Sequence, residues 1–394
     1  MRIYLDYNAT TPVDPRVRDA MLPYLGDEFG NAGSIHTEGQ RARAAVDAAR
    51  ESVAALLGAK TAEIVFTSGG TEADNLAILG SVATSNKPRK HVITTAIDHH
   101  AVLHSCEALE KQGIEVTVVP VGRTAGSQGV VDPEEVRRAL RPETVVISVM
   151  HANNEIGTIQ PIEEISKIAR EAGVVFHCDA VQSAGKIPLD VNQLGVDLLS
   201  ISAHKFCGPK GVGALYLRPG IPIAQRFHGG HAERDRRPGT ENVPGIVGLG
   251  KAAELARTLL QDDASRIRSL RDRLEETLLQ KVPAARVNGD RSRRVPNTSN
   301  LTFPGTGGEA LVIALDLQGI ACSTGAACSS GSTEPSHVLT AIGLSYDDAR
   351  SSLRLSLGRP TTSAEIDRAL EIIPGVVERL RALSPRQVAA VPAR

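Results

Sequence analysis

A chain of 394 residues exceeds one ordinary core and predicts two or three domains. Hydrophobic residues at 41% and charged residues at 23% exclude a disordered chain, and a net charge of −1 gives no footing for a nucleic-acid or anionic-membrane partner. Five cysteines are too few, and odd in number, for a disulfide scaffold; no apolar run reaches a membrane span, and MRIYLDYNATTP lacks a targeting pattern, so a cytoplasmic enzyme with free thiols is expected.

Along the chain a short β-branched run recurs, followed by polar residues and then helix-period spacing. Glu63–Thr67 leads into SGGTEADN and an apolar helix through Leu79. His91–Ala96 leads into IDHH and a helix to about Gln112, and Glu115–Val119 reads as a further strand. Asp132-Pro133-Glu134-Glu135 predicts a helix start, with an acid to cap it, proline at its first position and acids facing its positive end. Thr144–Met150 leads into HANNE, Val174–His177 into CDAVQS, and Asp197–Ser202 into AHK. Alternating strands and helices predict an α/β fold with a mostly parallel sheet covered by helices. Leu255, Leu259, Ile267, Leu270, Leu274 and Leu278 then mark a long helix from about Ala252 to Val282. SNLTF, LRLSLG, a glycine-rich loop and helices around Ala364–Leu383 follow, which predict a smaller α+β domain.

Open α/β sheets bind ligands at the carboxyl ends of their strands. Five predicted strands end there in polar clusters: Ser68/Thr71, Asp98/His99/His100, Asn153/Asn154/Glu155, Asp179/Gln182 and Ser202/His204/Lys205. Each alone also suits an ordinary loop; Asp179 could be a helix cap, and Lys205 a solvated lysine beside Pro209 and Lys210. Together they meet the needs of pyridoxal 5'-phosphate (PLP). That cofactor takes a lysine for its Schiff base, an acid for its pyridine nitrogen, backbone amides and hydroxyls for its phosphate, and a flat side chain over its ring. Two cysteines six apart make no convincing zinc pattern, and no HExxH or paired CxxC occurs, so no metal is expected.

The motifs YLDYNATTPVDPRV, FGNAGSIHTEG, FTSGGTEADNLAI, HHAVLHSCEAL, MHANNEIGTIQPI, HCDAVQSAGKIPLD, SAHKFCGPKGVGALY, HGGHAERDRRPGTENVPGIVGLG, CSTGAACSSGSTEPSHVL and SSLRLSLGRPTT occur in that order. In this the chain resembles the cysteine desulfurases of the NifS/IscS type, PLP enzymes of fold type I, over nearly its whole length. The GGHAERDRRPGTEN segment and the cysteine loop are closer to the NifS-like members. The resemblance implies a large PLP-binding domain over 16–254, and a small domain built from 1–15 and 255–394 that carries the catalytic cysteine loop. It assigns the Schiff base to Lys205, the ring nitrogen to Asp179, the phenolic oxygen to Gln182 and Asn154, and ring stacking and proton movement to His99. Gly70, Thr71, Ser202 and His204 would hold the phosphate. Thr240 would reach the phosphate of a neighbouring subunit, which implies a homodimer. Arg354 would hold the substrate carboxylate, with Asn31 a second candidate for that task.

The nucleophile implied is Cys328, in a stretch from Ser323 to Ser336 that lacks any large apolar residue. It would take sulfur from L-cysteine as a persulfide, leave alanine, and pass the sulfur to an acceptor such as an iron–sulfur scaffold protein. His99 and His337 are candidates to take its proton. Cys106 and Cys178 read as packing, while Cys207 and Cys322 are read as more structural than catalytic. Competing readings are a selenocysteine lyase or ordinary aminotransferase, which would share Lys205 and Asp179, and a non-catalytic sulfur scaffold without PLP. A nucleotide-binding protein is a further alternative, but GPKGVG lacks the GxGxxG order and no GxxxxGK[ST] occurs.

Overall fold

The computed structural model describes residues 2–324 and 334–383. Its centre is a seven-stranded sheet in the order Ile64–Thr67, Gly213–Leu217, Leu198–Ser202, Val175–Asp179, Thr144–Met150, His91–Thr95 and Glu115–Val119. Gly213–Leu217 runs antiparallel to both of its neighbours, and the other six strands are mutually parallel. Every residue of Ile64–Thr67, Thr144–Met150, Leu198–Ser202 and Gly213–Leu217 is buried. Such strands are covered by helices on both faces and read as continuous apolar runs rather than alternating ones.

The expected strands are present with ends shifted by a residue or two. The shift that matters is at Val175–Asp179, which runs two residues past His177, so Asp179 is the last residue of a strand and not part of a loop. Asp132 caps the helix Pro133–Ala139 as expected, accepting from Glu134 N–H. The strand Gly213–Leu217 has no counterpart among the expectations. Its sequence, GALYL, is short and begins with a glycine, which weakens a strand signal.

The long helix is longer than its leucine spacing indicated. It runs from Val243 to Lys281, capped by Asn242, whose side chain accepts from Gly245 N–H. The added first turns, VPGIVGLGK, contain three glycines that lower helix propensity and break the periodicity. Tertiary packing overrides that preference. A Cβ on Gly250 would lie 2.5 Å from Ala49 Cα, so the glycine lets this helix press against the backbone of helix Thr37–Leu57.

The second half of the long helix enters a separate core. Ile267, Leu274 and Leu278 pack there with Leu301, Phe303, Leu353 and Leu355, and with Ile3 and Leu5 from the N-terminus. Three antiparallel strands, in the order Ser352–Ser356, Thr298–Thr302 and Arg286–Val287, form its sheet. Ile3–Tyr4 pairs in parallel with Ile320–Ala321, and the helix Ser363–Leu383 closes the outside. Among the described residues no helix is long and apolar enough to cross a membrane.

Candidate active site

The carboxyl ends of the parallel strands open on a cavity of about 350 Å³, within the usual range for a small-molecule site. Gly70, Thr71, His99, Asn154, Asp179, Gln182, Ser202, His204, Lys205 and Arg354 all line it, so ten of the residues expected at the site meet in one place. Each arrives by a local cause. Ser202 ends its strand and a single 3₁₀ turn, Ala203–Lys205, carries His204 and Lys205 over the opening. Gly70 begins the helix Gly70–Thr84, whose cap Gly69 offers no side-chain bond to the first amides. Those amides and the positive end of the helix suit a phosphate group. Gly213 keeps the strand beside this turn close: a Cβ there would lie 2.6 Å from Ile201 O and 2.8 Å from Gly69 Cα.

His99 caps the helix His100–Glu110, its Nδ1 accepting from Ala101 N–H at 3.1 Å. An accepting Nδ1 leaves the ring proton of the neutral imidazole on Nε2. Burial, and then the charge of Lys205, push the His99 pKa down to about 4, so the ring is neutral at pH 7. Burial moves Asp179 the other way, up to about 6, while its bond from Val181 N–H and the charge of Lys205 pull against that rise. A cation in front of this carboxylate would relieve the cost of burying it. His204 donates to or accepts from Thr10 Oγ1 at 3.1 Å, and burial holds its pKa near 4.

The N-terminal segment forms one wall. Lys205 Nζ donates to the carbonyls of Asn8 at 2.7 Å and Ala9 at 2.9 Å, and Gln182 Nε2 donates to Asn8 O at 3.0 Å. Arg354 is 1% exposed and spans the two cores, donating from Nη2 to Asp6 Oδ1 at 2.7 Å and from Nη1 to Asn154 O at 3.0 Å. Its Nε is buried and has no hydrogen-bond partner. Asp74 Oδ1, on the helix behind Thr71, is a second buried polar atom without one, and Asp74 also lines the cavity. Asn8 and Asp74 were not among the expected site residues. The position of Asp74 one helical turn beyond Gly70 was the available signal for it.

Two expected residues stand apart from the cavity. Asn31 is exposed and spends its Oδ1 on Gly33 N–H at 2.8 Å, forming a local turn, so its expected place at the substrate is not met within this chain. Thr240 is exposed on the segment before the long helix and does not line the cavity of its own chain. Cys328 lies outside the described residues. The other four cysteines are buried and unpaired, and burial raises the pKa of each, to about 12 for Cys106 and Cys322. They stand as thiols rather than thiolates. His337 begins a helix with its ring 4.7 Å from that of His100, and its Nε2 lies 3.0 Å from Asp98 O.

The residues present fit PLP. The cavity has the size, the lysine, the opposed carboxylate, the neutral flat ring and the open helix start that the group requires, and Arg354 Nε is buried without a hydrogen-bond partner.

Comparison with known proteins agrees. Residues 3–369 match the aminotransferase class-V family model. A curated relative named cysteine desulfurase IscS, from Methanosarcina thermophila, is 52% identical over 97% of this chain and 94% of its own length. One named cysteine desulfurase, from Nostoc sp., is 53% identical over the same shares. Among solved structures, a NifS-like protein superposes with a TM-score of 0.90 at 39% identity, covering 96% of this chain and all of its own. A structure titled SspA in complex with cysteine gives 0.81 at 37% identity, over 92% of this chain and all of its own. The curated relatives are named as cysteine desulfurases, which does not favour the aminotransferase and scaffold alternatives. The chain, with its parallel sheet and its lysine–aspartate–histidine cavity, belongs to the cysteine desulfurases within the class-V aminotransferase family.

Proposed function

We propose that this protein takes sulfur from L-cysteine, releases L-alanine, and holds the sulfur as a persulfide on Cys328. The observation that carries the reading is the convergence of Lys205, Asp179 and His99, from three strand ends, on one cavity that also contains the buried arginine Arg354. PLP bound there through Lys205 supplies an electron sink that eases removal of a proton from the substrate Cα.

The chain's own residues do the rest. Asp179 would hold a positive charge at the ring nitrogen, Gln182 and Asn154 would serve the phenolic oxygen, and neutral His99 would stack on the ring. Gly70, Thr71, Ser202 and His204 would hold the phosphate. Arg354 binds the substrate carboxylate through parallel N–H bonds, and it is already oriented by Asp6. The Lys205 amine, held at the cavity by the carbonyls of Asn8 and Ala9, would take the Cα proton. The Cys328 thiolate attacks the substrate sulfur: an S–S bond forms, the C–S bond breaks, and its electron pair stays on the substrate carbon, which takes a proton and leaves as alanine. Burial keeps both His99 and His337 below their ordinary pKa and neutral; of these two candidates for the Cys328 proton, His337 is favoured, because its Nε2–H donates to Asp98 O and leaves Nδ1 as the basic nitrogen, whereas Nδ1 of His99 already accepts from Ala101 N–H. The four buried thiols are poorly suited to this task, which favours Cys328 among the five cysteines.

The exposed Thr240 suits a homodimer in which it reaches the phosphate of a second copy. The large domain is taken as 16–254 and the small one as 1–15 with 255–394, in keeping with the separate core around Ile3 and Leu274. The persulfide then passes to an acceptor protein in the cytoplasm, such as an iron–sulfur scaffold. Cys328→Ala tests the central step. The variant should keep the yellow PLP chromophore and lose persulfide and alanine formation from L-cysteine; alanine release at the wild-type rate would remove Cys328 from the reaction.

A further inference from the structure

Thr240 is exposed, yet the chain on either side of it is tied down. Three residues before it, Arg237 donates from Nε and Nη2 to the two carboxylate oxygens of Glu72, at 2.8 and 3.3 Å. One residue after it, Glu241 accepts from Arg43 Nη2 at 3.0 Å. Farther back, Glu233 is fixed by Arg50 and by Phe66 N–H, and on the other side Asn242 caps the long helix. Pro238 and Val243 are buried, so that from Arg237 to Val243 only Gly239, Thr240 and Asn242 are exposed.

Both anchors differ from ordinary surface ion pairs. An exposed pair contributes little, because water screens it and two long side chains must be held in one geometry. Here the carboxylates are largely shielded: the Glu72 side chain is 11% exposed and that of Glu241 8%. The contact of Arg237 with Glu72 is also two-pronged, which fixes direction as well as distance. Burial acts to raise the Glu72 pKa, but the bonds from Arg237 and from Ser68 outweigh it and hold the carboxyl below its ordinary value. Glu72 stands in the first turn of the helix Gly70–Thr84, directly after Thr71. The carboxylate that grips Arg237 therefore rises from the helix start assigned to the phosphate of its own chain. A segment that must reach a second molecule loses freedom on docking, and one already held in shape loses less.

We propose that Arg237 is a positioning residue for Thr240: its pair with Glu72, helped by that of Arg43 with Glu241, presents the threonine to the phosphate of the second copy and ties that reach to the phosphate end of its own chain's site. The inference rests on the reading of Thr240 as a ligand of the neighbouring phosphate.

The test is a hybrid dimer of full-length chains with two different tags, loaded with PLP. One chain keeps Lys205; the other carries Lys205→Ala and supplies Thr240. Borohydride then fixes PLP only on the first chain, where pyridoxyl fluorescence reads what remains during dialysis. Arg237→Met on the second chain is expected to speed the loss of PLP from the first roughly tenfold, about the effect of one hydrogen bond to a charged group. Added to Thr240→Val on that same second chain it should bring little further loss, because it acts through the threonine. An unchanged rate with Arg237→Met, or full additivity with Thr240→Val, overturns the positioning role. If Thr240→Val on the second chain itself leaves the rate unchanged, the reading of Thr240 as a ligand across the dimer fails instead. If the Arg237→Met chain does not assemble, Arg43→Met removes the other anchor and carries the same expectations.

Discussion

Asp179 is a carboxylate at the end of a buried strand, raised from its ordinary 3.8 to about 6, mainly by burial. In the cofactor-free protein its neutral form favours the fold: that stability is fully present below about pH 4 and is lost as the pH rises through about 6. Asp179→Asn keeps a neutral group of the same shape. Thermal melts of the cofactor-free proteins should therefore show the variant more stable than wild type at about pH 7.5 and no more stable at about pH 4. With PLP bound the order should reverse, because the amide cannot balance a charged ring nitrogen. An order unchanged by pH or PLP would count against the assignment. Lys205→Ala should lose the visible PLP band altogether, and an unchanged spectrum would place the cofactor elsewhere. These two residues were legible in the sequence because each follows an apolar run directly. Asn8 was not, since its importance lies in bonds to Lys186 and Lys205, 178 and 197 positions away, which no local pattern records.

Elements decide how closely those side chains can meet. Gly213 begins the one antiparallel strand of the main sheet and faces both Ile201 O and the Gly69 turn. Gly213→Ala would drive a methyl group into two stretches of backbone, neither of which can rotate aside. A destabilisation of about 1–3 kcal/mol is expected, with weaker PLP retention because the start of helix Gly70–Thr84 is displaced. Urea unfolding and PLP release measure the two effects. A second element is held by a buried ion pair: Glu233 accepts from Arg50 at 2.7 and 2.8 Å and from Phe66 N–H at 3.0 Å. Glu233, Arg234 and Asp235 all have positive φ, so three non-glycine residues in succession sit in the left-handed region. Glu233→Ala leaves Arg50 buried and unpaired and should cost about 3–5 kcal/mol, read from the same unfolding curves. The longer strands of both sheets, apart from Gly213–Leu217, and the helices after Gly70, His100, Asp132, Ala252 and Ser363 were visible from β-branched runs, caps and spacing, whereas the helix Thr37–Leu57 was not named from the sequence. The strand Gly213–Leu217 and the first turns of the long helix were hidden because glycines needed for close packing erase the local signal.

On the scale of the whole molecule, the cavity lies where two cores meet, and residues 8 and 354 reach it from opposite ends of the chain. One wall is completed by Arg354, fixed between Asp6 and Asn154. The homodimer proposed above gives Thr240 a test at a further scale. The protein should sediment at twice the 41.7 kDa chain mass, and Thr240→Val should weaken PLP binding without changing that mass. A monomeric enzyme that retains PLP would remove Thr240 from the phosphate site. The sequence by itself determined the family, the alternation of strand and helix, and ten residues of the cavity, because strand-end chemistry is written in short contiguous motifs. Only the tertiary structure decided that Asn31 serves its own turn, that Asn8 carries two lysines, and that Lys186 stands beside Lys205. Those are matters of distance between segments remote in the chain. They depend on how two cores close over one another, and not on any local preference of the residues involved.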